Sequence, residues 1–305
     1  MLRRHFLATL TAAPLITAAS PRLDRSRISF ISDEGLDTPA EAIDFAKKYG
    51  LQWMELRDVP GRRGHYMRQS DDVLKETAQQ LRDNGIRVSF LNTPMFKATL
   101  PGSEPVLRNP ETPEQREKRI ARGQAEFDRR KQDFEQAFRA AHLLGVDKIR
   151  CFTFLRTAEP EKTYQQIADI IGEMAELAAK AGIKILMENE QPCNVVTCAE
   201  IGAFMKLLPR KNVGVNWDPL NGMSRKEVQF PDGYNLLPKE RVWNVQLKGH
   251  TLLDPAQKLP WGEIFKALAR DGYQGQAGLE THYFDGTNRE KSHASMAEIL
   301  RHLEA

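Results

Sequence analysis

Cysteine is scarce in this chain: three residues in 305, Cys151, Cys193 and Cys198, an odd number with no CxxC pair. That excludes a disulfide framework and a zinc knuckle; Cys193 and Cys198 are near enough in sequence to pair, but buried, idle thiols are the expectation. No GxGxxG or GxxxxGK(S/T) follows the first strand-like run, so the usual phosphate cradle of a nucleotide-binding sheet is missing. No apolar run is long enough for a stable membrane span. An excess of one charge is also absent: the formal net charge is +3, from 44 basic and 41 acidic residues. With no basic stripe interleaved with aromatics, a nucleic-acid groove is excluded. The charge-dense run from Arg116 to Lys131 mixes both signs and reads as a solvated helix face.

What is present suits one large globular domain: 41% hydrophobic and 28% charged residues can bury a substantial core beneath a charged surface. The opening MLRRHFLATLTAAPLITAAS has a short basic start, an apolar stretch from Phe6 to Ala19 and small residues at its end, the plan of an export signal. Arg3-Arg4 followed by Phe6-Leu7 resembles a twin-arginine signal. Residues 1–20 are therefore expected to be an address, with cleavage near Ala19 or Ser20 and a periplasmic or extracellular destination. Residues 27–305 are expected to form the folded domain.

From Ile28 onward, short apolar or β-branched runs alternate with longer amphipathic segments, punctuated by Gly, Asn, Asp or Pro. Strands are predicted at Ile28–Ile31, Leu51–Leu56, Ile86–Leu91, Asp147–Phe152, Lys184–Asn189, Val213–Asp218, Arg241–Lys248 and Gln274–Glu280. Pro94 to Pro113 reads as a long loop before one long charged helix ending near Gly145, and Pro219 to Lys239 as irregular. A helical crossover after each strand implies parallel pairing, and eight such units favour closure into a single-domain α/β fold, the (β/α)8 or TIM barrel. Trp53, Trp217 and Trp243 are expected in the core, and Trp261 as a loop staple.

In such a barrel, reactive side chains project from the C-terminal ends of strands. Strand five closes on Glu188, strand six on Asp218, strand seven on Gln246 and Lys248, and strand eight on Glu280. Each acid follows an apolar run, where a lone charge is costly. A divalent cation with oxygen ligands removes the repulsion among three such acids. Mg²⁺, Mn²⁺ or Co²⁺ suits oxygen donors, and a nitrogen ligand such as His250 shifts the preference toward Zn²⁺. Taken singly, each acid reads equally as an ion pair or a helix cap; their convergence at consecutive strand ends is the stronger signal.

With ELR at 55–57, ILMENE at 185–190, VGVNWDPLN at 213–221, VWNVQLKGH at 242–250 and DGYQGQAGLE at 271–280, the chain resembles the xylose isomerase-like superfamily of sugar isomerases and epimerases over roughly Ile28 to Leu303. The resemblance implies that Glu188, Asp218 and Glu280 bind the metal and that the two glutamates flank the substrate carbon. Two positions depart from the pattern: Gln246 stands where many relatives carry a histidine ligand, and Asn221 where a histidine is expected three residues after the strand-six aspartate. A glutamine oxygen is a neutral, weaker donor to a hard cation. His250 or His282 can supply the missing nitrogen or act as acid and base.

The expected chemistry is proton abstraction α to a carbonyl by Glu188 or Glu280, through an enediolate whose oxyanion Lys248 steadies. Returning the proton gives epimerisation or isomerisation; expelling a β-leaving group gives a lyase or dehydratase on a keto-sugar. Glu55, Arg57, Asn92, Arg156, Asn189, His250 and His282 are secondary candidates for contacts to sugar hydroxyls, each equally readable as a structural ion pair or cap. The expected partner is a small free carbohydrate rather than a sugar phosphate, with assembly into an oligomer compatible. An abasic-site endonuclease on the same barrel lacks its histidine-rich metal cluster and basic face here. A carbohydrate-binding barrel that has lost its chemistry is the rival from another class, motivated by Gln246 and Asn221.

Overall fold

The alternating runs become eight strands and their crossovers in a computed structural model that describes residues 23–61 and 64–304. The export segment at 1–20 lies outside the described residues. The strands are β1 Ile28–Phe30, β2 Trp53–Leu56, β3 Arg87–Met95, β4 Lys148–Cys151, β5 Lys184–Glu188, β6 Val213–Trp217, β7 Val242–Lys248 and β8 Gln276–Glu280. All neighbours pair in parallel, in the order β1-β8-β7-β6-β5-β4-β3-β2. The two ends of this sheet meet at a parallel bridge between Ile31 and Glu55, where the Ser32 N–H donates to the Glu55 carbonyl at 3.0 Å. The result is the nearly closed (β/α)8 barrel expected from the sequence.

The helices are α1 Pro39–Tyr49, α2 Asp71–Asp83, α3 Pro113–Asp128, α4 Arg130–Leu144, α5 Tyr164–Lys180, α6 Cys198–Leu207, α7 Pro219–Met223, α8 Tyr234–Leu236, α9 Gly249–Leu253, α10 Trp261–Arg270 and α11 Asn288–Glu304. Their starts follow local chemistry. Thr38 accepts the Glu41 N–H ahead of α1, whose first residue is Pro39, and Gly50 ends that helix in the left-handed region at φ 64°. Thr112 with Gln115 and Thr197 with Glu200 form capping boxes at α3 and α6. Among the described residues no helix is long and apolar enough to cross a membrane.

Strand side chains alternate, and the two faces differ sharply in character. The outward face carries Ile149, Ile185, Val213, Val215, Trp217, Val245, Leu247, Ala277 and Leu279 into the main hydrophobic cluster beneath the helices. The inward face is largely polar and still buried: Ser29, Glu55, Asn92, Arg150, Glu188, Asn216, Asn244, Gln246, Lys248 and Glu280. A barrel interior is ordinarily filled with branched apolar side chains. Here a polar network replaces them, and every member must find a partner to offset its lost hydration.

Four expectations are corrected. β3 runs past Leu91 to Met95, through Pro94, because its ladder to β4 pairs only Leu91 with Ile149 and Met95 with Cys151 and skips the proline between. The charged helix is two helices meeting at Arg129. The 219–239 connection contains α7 and α8. Trp217 and Trp261 are fully buried, whereas Trp53 and Trp243, at the outset of their strands, are half-buried. The three cysteines are free and buried.

Candidate metal centre at the strand ends

β5, β6 and β8 bring Glu188, Asp218 and Glu280 to one point: one carboxylate oxygen from each lies within 4.8 Å of the others, and all three residues are buried. Three acids this close repel, and the protein supplies cations around them. Arg150 Nη1 is 3.1 Å from Glu188 Oε2. Lys248 Nζ is 2.8 Å from Asp218 Oδ2 and 4.0 Å from Glu280 Oε2. Arg57 Nη1 is 3.6 Å from Glu280 Oε1, and His282 Nδ1 is 3.3 Å from the same atom.

Each carboxylate is held differently. Glu188 Oε2 accepts from Asn216 Nδ2 at 2.5 Å as well as from Arg150. Asp218 begins α7 and caps it: Oδ1 accepts the Leu220 and Asn221 N–H groups at 2.9 and 3.3 Å, which turns Oδ2 toward Lys248. Asn189 braces this corner, its Oδ1 accepting the Asp218 N–H at 2.8 Å and its Nδ2 donating to the Asp218 carbonyl at 2.8 Å. Asn221, at the position where the resemblance implies histidine, donates to the Asn189 carbonyl at 3.0 Å.

The two glutamates differ in ionisation. Burial pushes Glu188 up to about 7, with Arg150 opposing. Burial also works against charge at Glu280, but Lys248, His282 and Arg57 outweigh it and hold that carboxyl well below its ordinary value. Burial raises Asp218, with Lys248 the main opposing influence. Lys248 itself is disfavoured by burial, yet Asp218, Glu280, Glu190 and Glu188 keep it charged well above the usual range.

An oxygen-liganded cation fits these residues. Asp218 Oδ2, Glu280 Oε2 and Gln246 Oε1 are buried without an aligned hydrogen-bond donor, although Lys248 approaches the first of them. Carboxylate and amide oxygens form a hard donor set of the kind that holds Mg²⁺ or Mn²⁺. A second trio, Glu34, Glu280 and His282, also converges within 4.8 Å, but Arg57 Nη1 lies 3.0 Å from Glu34 Oε1 and already compensates it.

The secondary candidates divide by position. His282 stays at the cluster, in the left-handed region at φ 56°, a strained conformation for a non-glycine residue. Glu34 Oε2 accepts its backbone N–H at 2.5 Å and secures that turn. His250 is occupied by Asp254 and by the His282 carbonyl at 3.2 Å, and it stacks on Tyr283 at 4.0 Å. Arg156 is engaged by Glu200 at 2.7 Å and the Asn194 carbonyl at 2.9 Å. Glu55 and Asn92 bond one another at 2.9 Å inside the barrel. A cavity of about 300 Å³ beside the mouth, lined by His65, Phe96, Lys97, Phe127, Arg130 and Phe154, includes none of the strand-end acids; the Lys97–Glu190 pair at 2.8 Å links the two regions.

Sequence reasoning overlooked Arg150, Asn216, Asn244 and Glu34. A signal existed for the asparagines: Asn216 and Asn244 stand two residues before Asp218 and Gln246, and so share their inward face. Arg150 stands between Ile149 and Cys151 in β4. Nothing in the loop after β1 marks Glu34.

The ionisation pattern fixes a dependence on pH. In protein freed of divalent ions, Glu188 binds its proton more tightly folded, at about 7, than unfolded, at 4.5. Stability contributed below the unfolded value is therefore lost as pH rises through that window, by about 3 kcal/mol at roughly 1.4 kcal/mol per unit. Asp218, Glu34 and Glu55, all raised by burial, act in the same sense. Glu280, depressed, acts oppositely, and only below its ordinary value. Urea midpoints in EDTA should fall from pH 5 to 8, and saturating Mn²⁺, which selects the ionised carboxylates, should flatten that fall. Midpoints that rise across the window in EDTA contradict this assignment.

The profile of the family described as the xylose isomerase-like TIM barrel matches residues 43–304. No curated protein sequence matches the chain. Among solved structures, the apo form of 3-keto-D-glucoside 4-epimerase from E. coli is similar at TM-score 0.66 and 14% identity, over 92% of this chain and 100% of that one. The IolI protein with a bound zinc atom is similar at TM-score 0.66 and 15% identity, over 91% and 98%. A probable 3-DHS dehydratase of petrobactin synthesis from Bacillus anthracis is similar at TM-score 0.60 and 18% identity, over 89% and 97%. At these identities the likenesses establish a shared fold.

Proposed function

Because the chain belongs to the xylose isomerase-like TIM barrel family, we propose that it is a metal-dependent sugar isomerase or epimerase acting by proton transfer next to a carbonyl. The observation that carries this reading is the convergence of Glu188, Asp218 and Glu280, buried, on one point at the barrel mouth. Glu188, Asp218, Gln246 and Glu280 would hold a divalent cation, Mn²⁺, Mg²⁺ or Co²⁺ on the chemistry of the donors, whose contribution is to polarise a carbonyl and its neighbouring hydroxyl. The zinc atom bound by one structural neighbour supports a metal in a barrel of this fold.

The chain's own residues do the rest. Glu280, ionised among Lys248, Arg57 and His282, is the stronger candidate to take the proton. Glu188, able to carry a proton near neutral pH, is suited to return one. Lys248, charged and buried, is the donor for oxyanion charge as the enediolate forms. His282, at the accessible edge of the cluster, is placed to exchange protons with Glu280 or a substrate hydroxyl. A lyase or dehydratase uses the same first step and then expels a β-leaving group; the dehydratase among the structural neighbours favours keeping this as the second reading. The twin-arginine-like opening supports a reading in which the enzyme works outside the cytoplasm, on an unphosphorylated sugar or keto-glycoside.

The test combines metal analysis of purified protein with solvent-deuterium incorporation into a panel of keto- and aldo-sugars, read by NMR. Deuterium at the carbon next to the carbonyl, dependent on the metal, is expected. Sugar binding without any exchange would replace the enzyme reading with a non-catalytic carbohydrate-binding barrel.

A further inference from the structure

Glu55 on β2 is wholly buried in the barrel interior and, among the described residues, forms no salt bridge. Four neutral groups from three other strands surround it. Oε1 accepts from Ser29 Oγ at 3.0 Å and Asn244 Nδ2 at 3.1 Å; Oε2 accepts from Asn92 Nδ2 at 2.9 Å and Gln246 Nε2 at 2.8 Å. Two donors on each oxygen use the lone-pair directions of a carboxylate fully. Room for it is left by Gly278 of β8, which pairs with Ser29 on one side and Gln246 on the other. A Cβ at Gly278 would collide with the Glu55 carboxylate, reaching 2.6 Å from its Cδ and 3.0 Å from Ser29 Oγ.

A buried carboxylate without a countercharge is an expensive way to fill space, and an apolar side chain of that size would cost less. What only a carboxylate does is accept without donating. Every amide touching Glu55 must turn its NH₂ toward it and its oxygen away. The oxygens of Asn92, Asn244 and Gln246 are accordingly buried without partners. The constraint travels further: the Asn244 NH₂ also donates to Asn216 Oδ1 at 3.0 Å, which leaves the Asn216 NH₂ for Glu188 Oε2 at 2.5 Å.

We propose that Glu55 is a positioning residue that sets the polarity of this amide network, holding the Gln246 amide so that its oxygen, and not its NH₂, is offered to the strand-end carboxylates as a cation ligand. This rests on the metal-centre reading above. A glutamine where relatives carry histidine has two nearly isosteric orientations, only one of which can ligate a cation, and Glu55 removes the other.

The experiment uses full-length protein labelled with ¹⁵N-glutamine, the Gln246 side-chain signal being assigned by its loss in Gln246→Leu. In metal-free wild type this NH₂ should be protected from solvent exchange, and Mg²⁺ should leave it protected, because the oxygen faces the ion. Glu55→Gln, which can both donate and accept, should abolish the protection and weaken Mn²⁺ binding by calorimetry ~10–100-fold, the range for residues that orient ligands. The same change in a Gln246→Leu background should weaken Mn²⁺ binding much less. An unprotected Gln246 amide in wild type, or one that loses protection when Mg²⁺ binds, overturns the proposal without reliance on any variant. So does an undiminished effect of Glu55→Gln in the Gln246→Leu background. A protected amide that depends on Glu55, in a protein that binds neither Mg²⁺ nor Mn²⁺, supports the positioning role and sinks the metal reading instead.

Discussion

Glu280→Gln should retain the fold and lower deuterium exchange into substrate at least ~100-fold, within the range by which general acid–base groups accelerate proton transfer. The amide keeps an oxygen for a cation but cannot accept the substrate proton. Its neighbours tolerate the change: Lys248 keeps Asp218 at 2.8 Å, and Arg57 keeps Glu34 at 3.0 Å and Asp33 at 2.7 Å. Glu188→Gln should slow exchange comparably but, in EDTA near pH 8, gain stability, because burial makes the fold favour the neutral side chain even with Arg150 beside it. The two variants therefore separate in thermal denaturation while agreeing in exchange. Undiminished exchange in both would remove proton transfer from these residues and leave them a purely electrostatic role.

This contrast could not have been foreseen from the chain alone. That acids stand at the ends of β5, β6 and β8 was legible, because each closes a run of apolar residues that can only be a buried strand, and the eight-fold alternation followed from the same runs. Which cation faces which acid was not. Arg150, Asn216 and Asn244 are single polar residues inside strands, and their meaning depends on side chains from other strands that only barrel closure brings near. His250 and His282 read alike in the sequence; the structure gives His250 to Asp254 and the His282 carbonyl, and leaves the His282 ring beside Glu280. The break at Arg129 was invisible because no proline or glycine marks it, and charged residues crowd both sides of it, in the last turn of α3 and the first of α4. Pro94 misled for a physical reason: proline lacks a ladder donor, but β3 requires none there.

Lys248→Met tests the electrostatic balance of the centre most severely. Lys248 is buried, and its charge is sustained by Asp218 and Glu280 against the cost of desolvation. Removing it leaves those carboxylates with less compensation in a site closed to water. In EDTA near pH 8 the variant should lose about 3–5 kcal/mol of stability, roughly 10 °C in a domain of this size. At pH 5 the loss should be smaller, since Asp218 and Glu188, both raised by burial, are then closer to neutral without the lysine. A divalent cation supplies positive charge to the same oxygens, so Mn²⁺ should restore most of the lost stability and stabilise the variant more than it does the wild type. Restored stability should not restore exchange: the oxyanion donor is gone, and the rate should stay ~100-fold or more below wild type even at saturating metal. If Mn²⁺ returned both stability and exchange, Lys248 would be a counter-ion alone. If EDTA-treated Lys248→Met were as stable as wild type at pH 8, the buried acids would have to draw their compensation from Arg57 and Arg150, and the centre's charge balance would be other than its geometry indicates.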